Sequence, residues 1–312
     1  PGGFANALRT IPVVLAALRI IEEVAPRATV LNLTNPAGII QHTAQRYTSV
    51  RFISLCDSPT TLGDALAELL GVPRAELAID YLGMNHLGWA IALRHRGHDL
   101  LEQALARIER LSQQGVDAAY IRASRAIPLP YVRYYLHPER ILAQQHGRTP
   151  RARQLQSLEQ ELLLDYAEAA GSQRERATTA VGRRGAVWYN AIVVPVLDAL
   201  VYDRGTSWIV NVQNGDLISW LPPETVIEVP ARVDSAGVHP DPVPARLLAE
   251  ELRVLLAGLA AYEALAVSAI VERDRDLGLR ALVAHPLIRS LDQAERVLMA
   301  VGLAGGVVDG DT

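Results

Sequence analysis

Residues 29–59 read TVLNLTNPAGIIQHTAQRYTSVRFISLCDSP. A β-branched run at 29–33 ends on Thr34-Asn35-Pro36, and a helical stretch follows over 37–47. A second strand-like run spans 50–56, and Asp57-Ser58-Pro59 opens a helix that continues to Leu70 with Asp or Ser as its N-cap. Strands alternating with helices in units this short predict a parallel sheet. Upstream, apolar residues at helical spacing from Phe4 to Val24 predict a long helix leading into it. Ligands of such sheets bind beyond the carboxyl ends of the strands, which is where Asn35 and Cys56 fall. A third strand at 75–84 runs into Asn85-His86 of YLGMNHLGW (81–89) and is expected to deliver them to the same edge.

Of 312 residues, 50% are hydrophobic and 21% charged, so the chain can bury a large core and is expected to form two domains. Apolar runs such as 191–201 are broken by proline or charge short of the ~20 residues of a membrane span, which predicts a soluble protein with no membrane partner. A net charge of −4 without a basic stripe argues against a nucleic-acid partner. All 30 basic residues other than histidine are arginine, which reads as a compositional habit. The single cysteine excludes an internal disulfide and suits a reducing cytoplasm. The first 24 residues have no signal-peptide layout, and a start on Pro-Gly-Gly without methionine suggests a truncated N-terminus.

After residue 95 the alternation stops. Helices are expected over 99–113, 116–125, 131–146, 151–171 and around 186–202, strands over 207–214 and 225–233, and helix again from Val243 onward. This divides the chain into an α/β segment at 1–95 and a mainly helical α+β segment at 96–312, with GRRGA (182–186) a loop and 302–312 a frayed tail. The apolar helices near 247–270 offer an interface for self-association.

Several residues have chemistry to offer. Cys56 lies at a strand end before a helix N-terminus, where thiolate is favoured; the competing reading is a small buried hydrophobe. His86 could be a core imidazole satisfied by a carbonyl. Together, one thiolate and one imidazole leave a divalent ion open to substrate oxygens. PYVRYYL (130–136) places Tyr131 and Tyr135 on one helical face with Tyr134 beside Tyr131, either packed in the core or, near a cation, serving as a base. TPRARQ (149–154) sets Arg151 and Arg153 at a helix start suited to phosphate, or merely solvated there. Asn214-Gly215 is turn chemistry first and a ligand site second.

In order, GGFANALRTIP, NLTNPAGI, LCDSP, YLGMNHLGW, PYVRYYL, RARQ and IVNVQNG…LPPETVIEVP resemble the family-four glycoside hydrolases, specifically the 6-phospho-β-glucosidases, over nearly the entire chain. The resemblance implies the remainder of a Rossmann-like, lactate-dehydrogenase-like sheet followed by a helical substrate and oligomerisation domain. It also implies hydrolysis dependent on NAD rather than on two carboxylates: oxidation at C3, loss of the C2 proton, departure of the aglycone, water addition and return of the hydride. The ion, usually Mn²⁺, would be held by Cys56 and His86; Tyr131 would be the base, ahead of Tyr134 and Tyr135, and Asp57 a second catalytic residue. Asn35, Asn85 and Arg151 would bind a phosphorylated disaccharide or glucoside, the last through its phosphate. Asp57 departs from the asparagine of several β-specific relatives and matches α-specific ones.

By the same resemblance, roughly a hundred residues carrying a glycine-rich NAD loop are expected before Pro1. Residues 1–312 alone would then bind NAD poorly and be inactive. Relatives imply a homodimer or homotetramer. The competing readings are a 6-phospho-α-glucosidase or α-galactosidase of the same family, a 2-hydroxy-acid dehydrogenase of lactate or malate type, and a non-catalytic sugar-phosphate sensor.

Overall fold

The computed structural model describes residues 2–111, 115–169 and 189–303, so the expected loop at 182–186 and the tail from 304 onward lie outside the described residues. The first elements follow the predicted alternation: α1 (Gly2–Val24), β1 (Thr29–Asn32), α2 (Ala37–Tyr47), β2 (Arg51–Ser54) and α3 (Ser58–Leu70). β1 and β2 pair in parallel, from Thr29 opposite Arg51 to Asn32 opposite Ser54. Pro36 precedes α2 and Pro59 occupies the first turn of α3, where a missing N–H is harmless. Gly71, at φ 71°, closes α3 in the left-handed conformation that glycine adopts freely.

The third strand departs from expectation. β3 (Leu77–Met84) does not extend the parallel pair; it turns back into β4 (Leu87–His95), a strand the periodicity did not suggest. The two residues between Met84 and Leu87 can reverse a chain but cannot make a parallel crossover, so β4 returns antiparallel beside β3, whose other edge takes β8 rather than β2. β5 (His98–Asp99) and α4 (Leu101–Ala106) follow, then α5 (Ala118–Ser124), β6 (Ile127–Pro128), α6 (Arg133–Leu136), α7 (Pro138–Gln145), α8 (Arg151–Ala169) and α9 (Val194–Tyr202). β7 (Thr206–Gln213), β8 (Val226–Asp234) and β9 (Gly237–Pro240) complete the strands, and α10 (Glu250–Glu272), α11 (Arg275–Ala284) and α12 (Leu291–Val301) close the described chain. The single helix expected over 131–146 is broken at His137, because the residue before Pro138 is kept out of the helical region (φ −131°, ψ 48°).

The second sheet is antiparallel throughout, in the order β5-β4-β3-β8-β7, with β6 on β4 and β9 on β8. Its largest core packs the β3–β4 hairpin against α1, α3 and α10 to α12, around Trp89, Tyr81, Phe4, Leu66 and Leu256. A smaller core of Ile53, Leu55, Ile192, Val196, Ala199, Val210, Ala231 and Val233 clasps β2 against β7, β8 and α9. That second core is what fixes the parallel pair against the antiparallel sheet.

By length and composition α1 and α10 could each cross a membrane, contrary to the expectation that every apolar run stops short. Isolated charges such as Arg9 and Arg19 in α1 are too few to lower the mean over a whole helix. α10 is nevertheless a core helix: 56% of its apolar window is buried, with Leu252, Leu256, Leu259, Ala266 and Val267 facing inward. The interface expected near 247–270 is therefore mostly spent on the core, leaving Leu247 and Val254 as exposed large apolar side chains.

Candidate active site

Cys56 lies just beyond the carboxyl end of β2, buried, with Sγ 4.0 Å from Oδ1 of Asp57. The expected thiolate is not favoured there. Burial and the neighbouring Glu228 push the thiol up to about 12, outweighing the hydrogen bonds from Ser58 at the start of α3. Asp57 holds the N-cap position, but its side chain makes no capping bond, and burial raises its carboxyl. The loop after β1 is pinned to α1 by Asn6 Nδ2, which donates to the Asn35 carbonyl at 2.8 Å, while Asn35 itself is exposed.

His86 arrives by a different route. Asn85 and His86 are the two loop residues of the β3–β4 hairpin, and His86 takes φ 67°, a left-handed conformation uncommon outside glycine. The pairing behind it is tight. Gly83 faces Gly88, where a Cβ on Gly83 would come 2.4 Å from the Gly88 Cα; a Cβ on Gly88 would come 2.0 Å from Tyr81 Oη. Both positions therefore need glycine, and the space lets the Tyr81 hydroxyl donate to Glu228 at 2.8 Å. Burial lowers His86 to about 4, so its imidazole is neutral near pH 7 with a lone pair to offer.

Tyr131 stacks on His86 with ring centroids 4.1 Å apart and planes at 24°. Burial raises the Tyr131 phenol, and the acidic groups of Cys56 and Asp57, within electrostatic reach, add to the rise. Arg133 pulls the other way but is the weakest influence, and the expectation that a nearby cation lowers this tyrosine is not met. Tyr131 sits in a 3₁₀ turn (Pro130–Val132) whose three-residue period aligns it with Tyr134 at 6.3 Å, not with Tyr135. Tyr135 is half-buried and stacks on His285 instead. Arg151, exposed at the start of α8, hydrogen-bonds Gln154 of its own helix and makes no described contact with the other candidates.

Glu228, Asn211 and Tyr81 complete the cluster, and no sequence pattern assigned any of the three a role. Glu228 of β8 is fully buried and pushed up to about 7 by that burial, while Tyr81, Asn85 and Asn211 act to hold it down. Asn211 of β7 donates to the Ser54 carbonyl at 3.0 Å and, more weakly, to Glu228 at 3.4 Å. Asn85 Nδ2 lies near Glu228, yet is buried without a hydrogen bond of normal geometry, and Asn211 Oδ1 is likewise unpartnered. The signal available for Glu228 was a lone carboxylate inside the apolar strand TVIEVPARV. Asn214, expected to make a turn, is buried and ties the loop after β7 together through the carbonyls of Ile218, Leu221 and Pro222.

Among the described residues, no set of three or more His, Cys, Asp or Glu side chains converges as a closed metal site. A soft thiol within electrostatic reach of Tyr131 and a neutral imidazole stacked on that tyrosine, with buried unpartnered amide atoms on Asn85 and Asn211, suit a divalent ion that keeps open positions for ligand oxygens.

Comparison with known proteins agrees with this architecture. The profile described as family 4 glycosyl hydrolase matches residues 1–72, and that of the family 4 glycosyl hydrolase C-terminal domain matches 81–288. The 6-phospho-beta-glucosidase BglT of Thermotoga maritima is 27% identical over 95% of this chain and 71% of its own length. A phospho-alpha-glucosidase, PagL of Clostridium acetobutylicum, is 25% identical over 95% of this chain and 71% of its own. The crystal structure of the 6-phospho-beta-glucosidase from Thermotoga maritima with manganese, NAD⁺ and glucose-6-phosphate superposes with a TM-score of 0.85 at 27% identity, covering 96% of this chain and 71% of that one. A lactate dehydrogenase from a deep-sea metagenome library, at 13% identity and a TM-score of 0.51 over 85% of this chain and 70% of its own, shares the fold alone.

Proposed function

Because the chain belongs to the family 4 glycosyl hydrolases, we propose that it hydrolyses 6-phospho-β-glucosides, such as phosphorylated cellobiose, with NAD and a divalent ion, Mn²⁺ in the first instance. The observation that carries this reading is the left-handed His86 stacked on Tyr131, with Cys56 and Asp57 within electrostatic reach of that tyrosine. When bound, the nicotinamide takes up and returns hydride at C3 of the sugar, and the ion polarises the oxygens at C2 and C3.

Cys56 and His86 hold the ion. His86 is already neutral; Cys56 must release the proton that burial favours, so ion uptake displaces a proton there. Once a bound cation offsets the charge of the Cys56 thiolate, the Tyr131 phenol ionises more readily, and the phenolate can take the C2 proton. Asp57, kept protonated more readily by burial, gives a proton to the leaving oxygen in this reading. Asn35 and Asn85 bind sugar hydroxyls, and Arg151 the 6-phosphate.

Asp57 next to Cys56 also favours a second reading, in which the same site cleaves α-linked 6-phospho substrates or α-galactosides. The assembly is proposed to be a cytoplasmic homodimer or homotetramer, without nucleic-acid or membrane partners. Turnover of the full-length protein, including the NAD-binding residues expected before Pro1, on paired α- and β-linked 6-phospho substrates, with and without Mn²⁺ and NAD⁺, tests the proposal. Activity on the β-linked member that requires both additions is expected, and Cys56→Ser removes it. Metal-independent turnover, or full activity in Cys56→Ser, would overturn the assignment.

A further inference from the structure

The two proposed ion ligands belong to different sheets, so something must hold one against the other to the precision that coordination demands. Cys56 follows the parallel strand β2, whereas His86 tips an antiparallel hairpin. Along the described chain the parallel pair meets the antiparallel sheet at β7, and β8 lies between β7 and the hairpin. β3 pairs with β8 at one registered position, Gly83 opposite Glu228, and on the other side Glu228 is registered opposite Asn211 of β7. The Glu228 side chain serves both neighbours, accepting from Tyr81 Oη on the hairpin at 2.8 Å and, at 3.4 Å, from Asn211 Nδ2. The same Asn211 Nδ2 donates at 3.0 Å to the carbonyl of Ser54, two residues before Cys56.

We propose that Glu228 is the positioning residue of the ion site, a single buried carboxylate that fixes the end of β2 and the tip of the β3–β4 hairpin in one geometry. The inference rests on the assignment of Cys56 and His86 as ligands. It explains why an acid is kept in an otherwise apolar strand, where a carboxylate is expensive to bury. It also accounts for Gly88, whose missing side chain leaves room for the Tyr81 hydroxyl to reach the carboxylate.

The test is Mn²⁺ binding, followed by the electron paramagnetic resonance of the free ion, with and without glucose 6-phosphate and well below each variant's unfolding temperature. Glu228→Ala should weaken Mn²⁺ binding by about 10- to 100-fold, the range seen when groups that orient metal ligands are removed. Glu228→Gln, which can still accept from Asn211 and donate to Tyr81 Oη, should retain most of the parent's affinity even if it unfolds at a lower temperature. A merely structural role would leave affinity tracking unfolding temperature in both variants. Should Glu228→Ala fail to fold, Tyr81→Phe cuts the hairpin tie alone and should weaken binding in the same direction. Parent-like affinity in Glu228→Ala, or in Tyr81→Phe where that variant replaces it, overturns the proposal while leaving the ligand assignment intact. Parent-like affinity in Cys56→Ala and His86→Ala, or no Mn²⁺ binding by the parent, removes the ligand assignment and this inference with it.

Discussion

The segment before Cys56 and the segment before His86 look alike in one-letter code: an apolar run of strand length, then a polar pair. In space they differ. Cys56 follows a strand whose partner lies parallel to it, and the loop beyond it leads into a helix. His86 sits in a two-residue turn, flanked by strands so close that Gly83 and Gly88 nearly touch. The first arrangement tolerates substitution, because a helix start can shift by a fraction of an ångström. The second has no slack, because each residue of the turn is fixed from both sides.

The largest expected effect follows from that lack of slack. Gly88→Ala would drive a methyl group to 2.0 Å from Tyr81 Oη, and Tyr81 is fully buried with no room to retreat. Overpacking of this kind should cost about 3 kcal/mol or more, together with the Tyr81–Glu228 hydrogen bond. Urea denaturation would measure it; a loss below ~1 kcal/mol would mean that the hairpin yields more than its packing implies.

A second measurement addresses the parallel half, which rests on a buried acid of its own. Glu263 of α10 lies over the first turn of α2, where a Cβ on Gly38 would come 2.9 Å from Oε1. Its Oε2 is buried without a partner, and burial raises the group from 4.5 to about 8. A folded-state value above the unfolded one means that the native state holds the proton more tightly. Stability attributable to Glu263 is thus fully present below about 4.5 and is lost as pH rises through about 8. Glu263→Gln should match the parent near the acid end of that window and exceed it by a few kcal/mol at the alkaline end. Denaturation curves that fall equally with pH in both proteins would show that Glu263 is solvated in solution.

The same contrast explains what could be read from the sequence. Cys56, His86 and Tyr131 were visible because each is an isolated reactive group at the end of an apolar run or in an aromatic cluster, and local pattern suffices to find such groups. Glu228, Asn211 and Tyr81 were not, because their meaning depends on register between strands up to 147 residues apart. The sheet that β3 joins is hidden for a related reason: strand periodicity is the same in parallel and antiparallel sheets, the short turn reveals only the partner β4, and the other partner, β8, lies far along the chain. Tyr135 was misplaced by one assumption, a full α-helix where the chain makes a 3₁₀ turn.

The smallest expected effect separates the demands of folding from those of the site. At φ 67° a histidine backbone is held in a conformation that costs an ordinary residue about 1–2 kcal/mol and glycine nothing. His86→Gly should relieve that strain, offset in part by the greater freedom of glycine in the unfolded chain and by the lost stacking on Tyr131. The net change in stability should stay within about 1 kcal/mol of the parent, while Mn²⁺ binding falls sharply. Cys56→Ala gives the matching measurement on the other half, where no backbone strain is stored and a small buried side chain is merely shortened. If His86→Gly instead unfolds the hairpin, the imidazole is a structural keystone and its left-handed backbone is no sign of a ligand. If it folds normally and loses the ion, the strain at the turn is there to aim the imidazole.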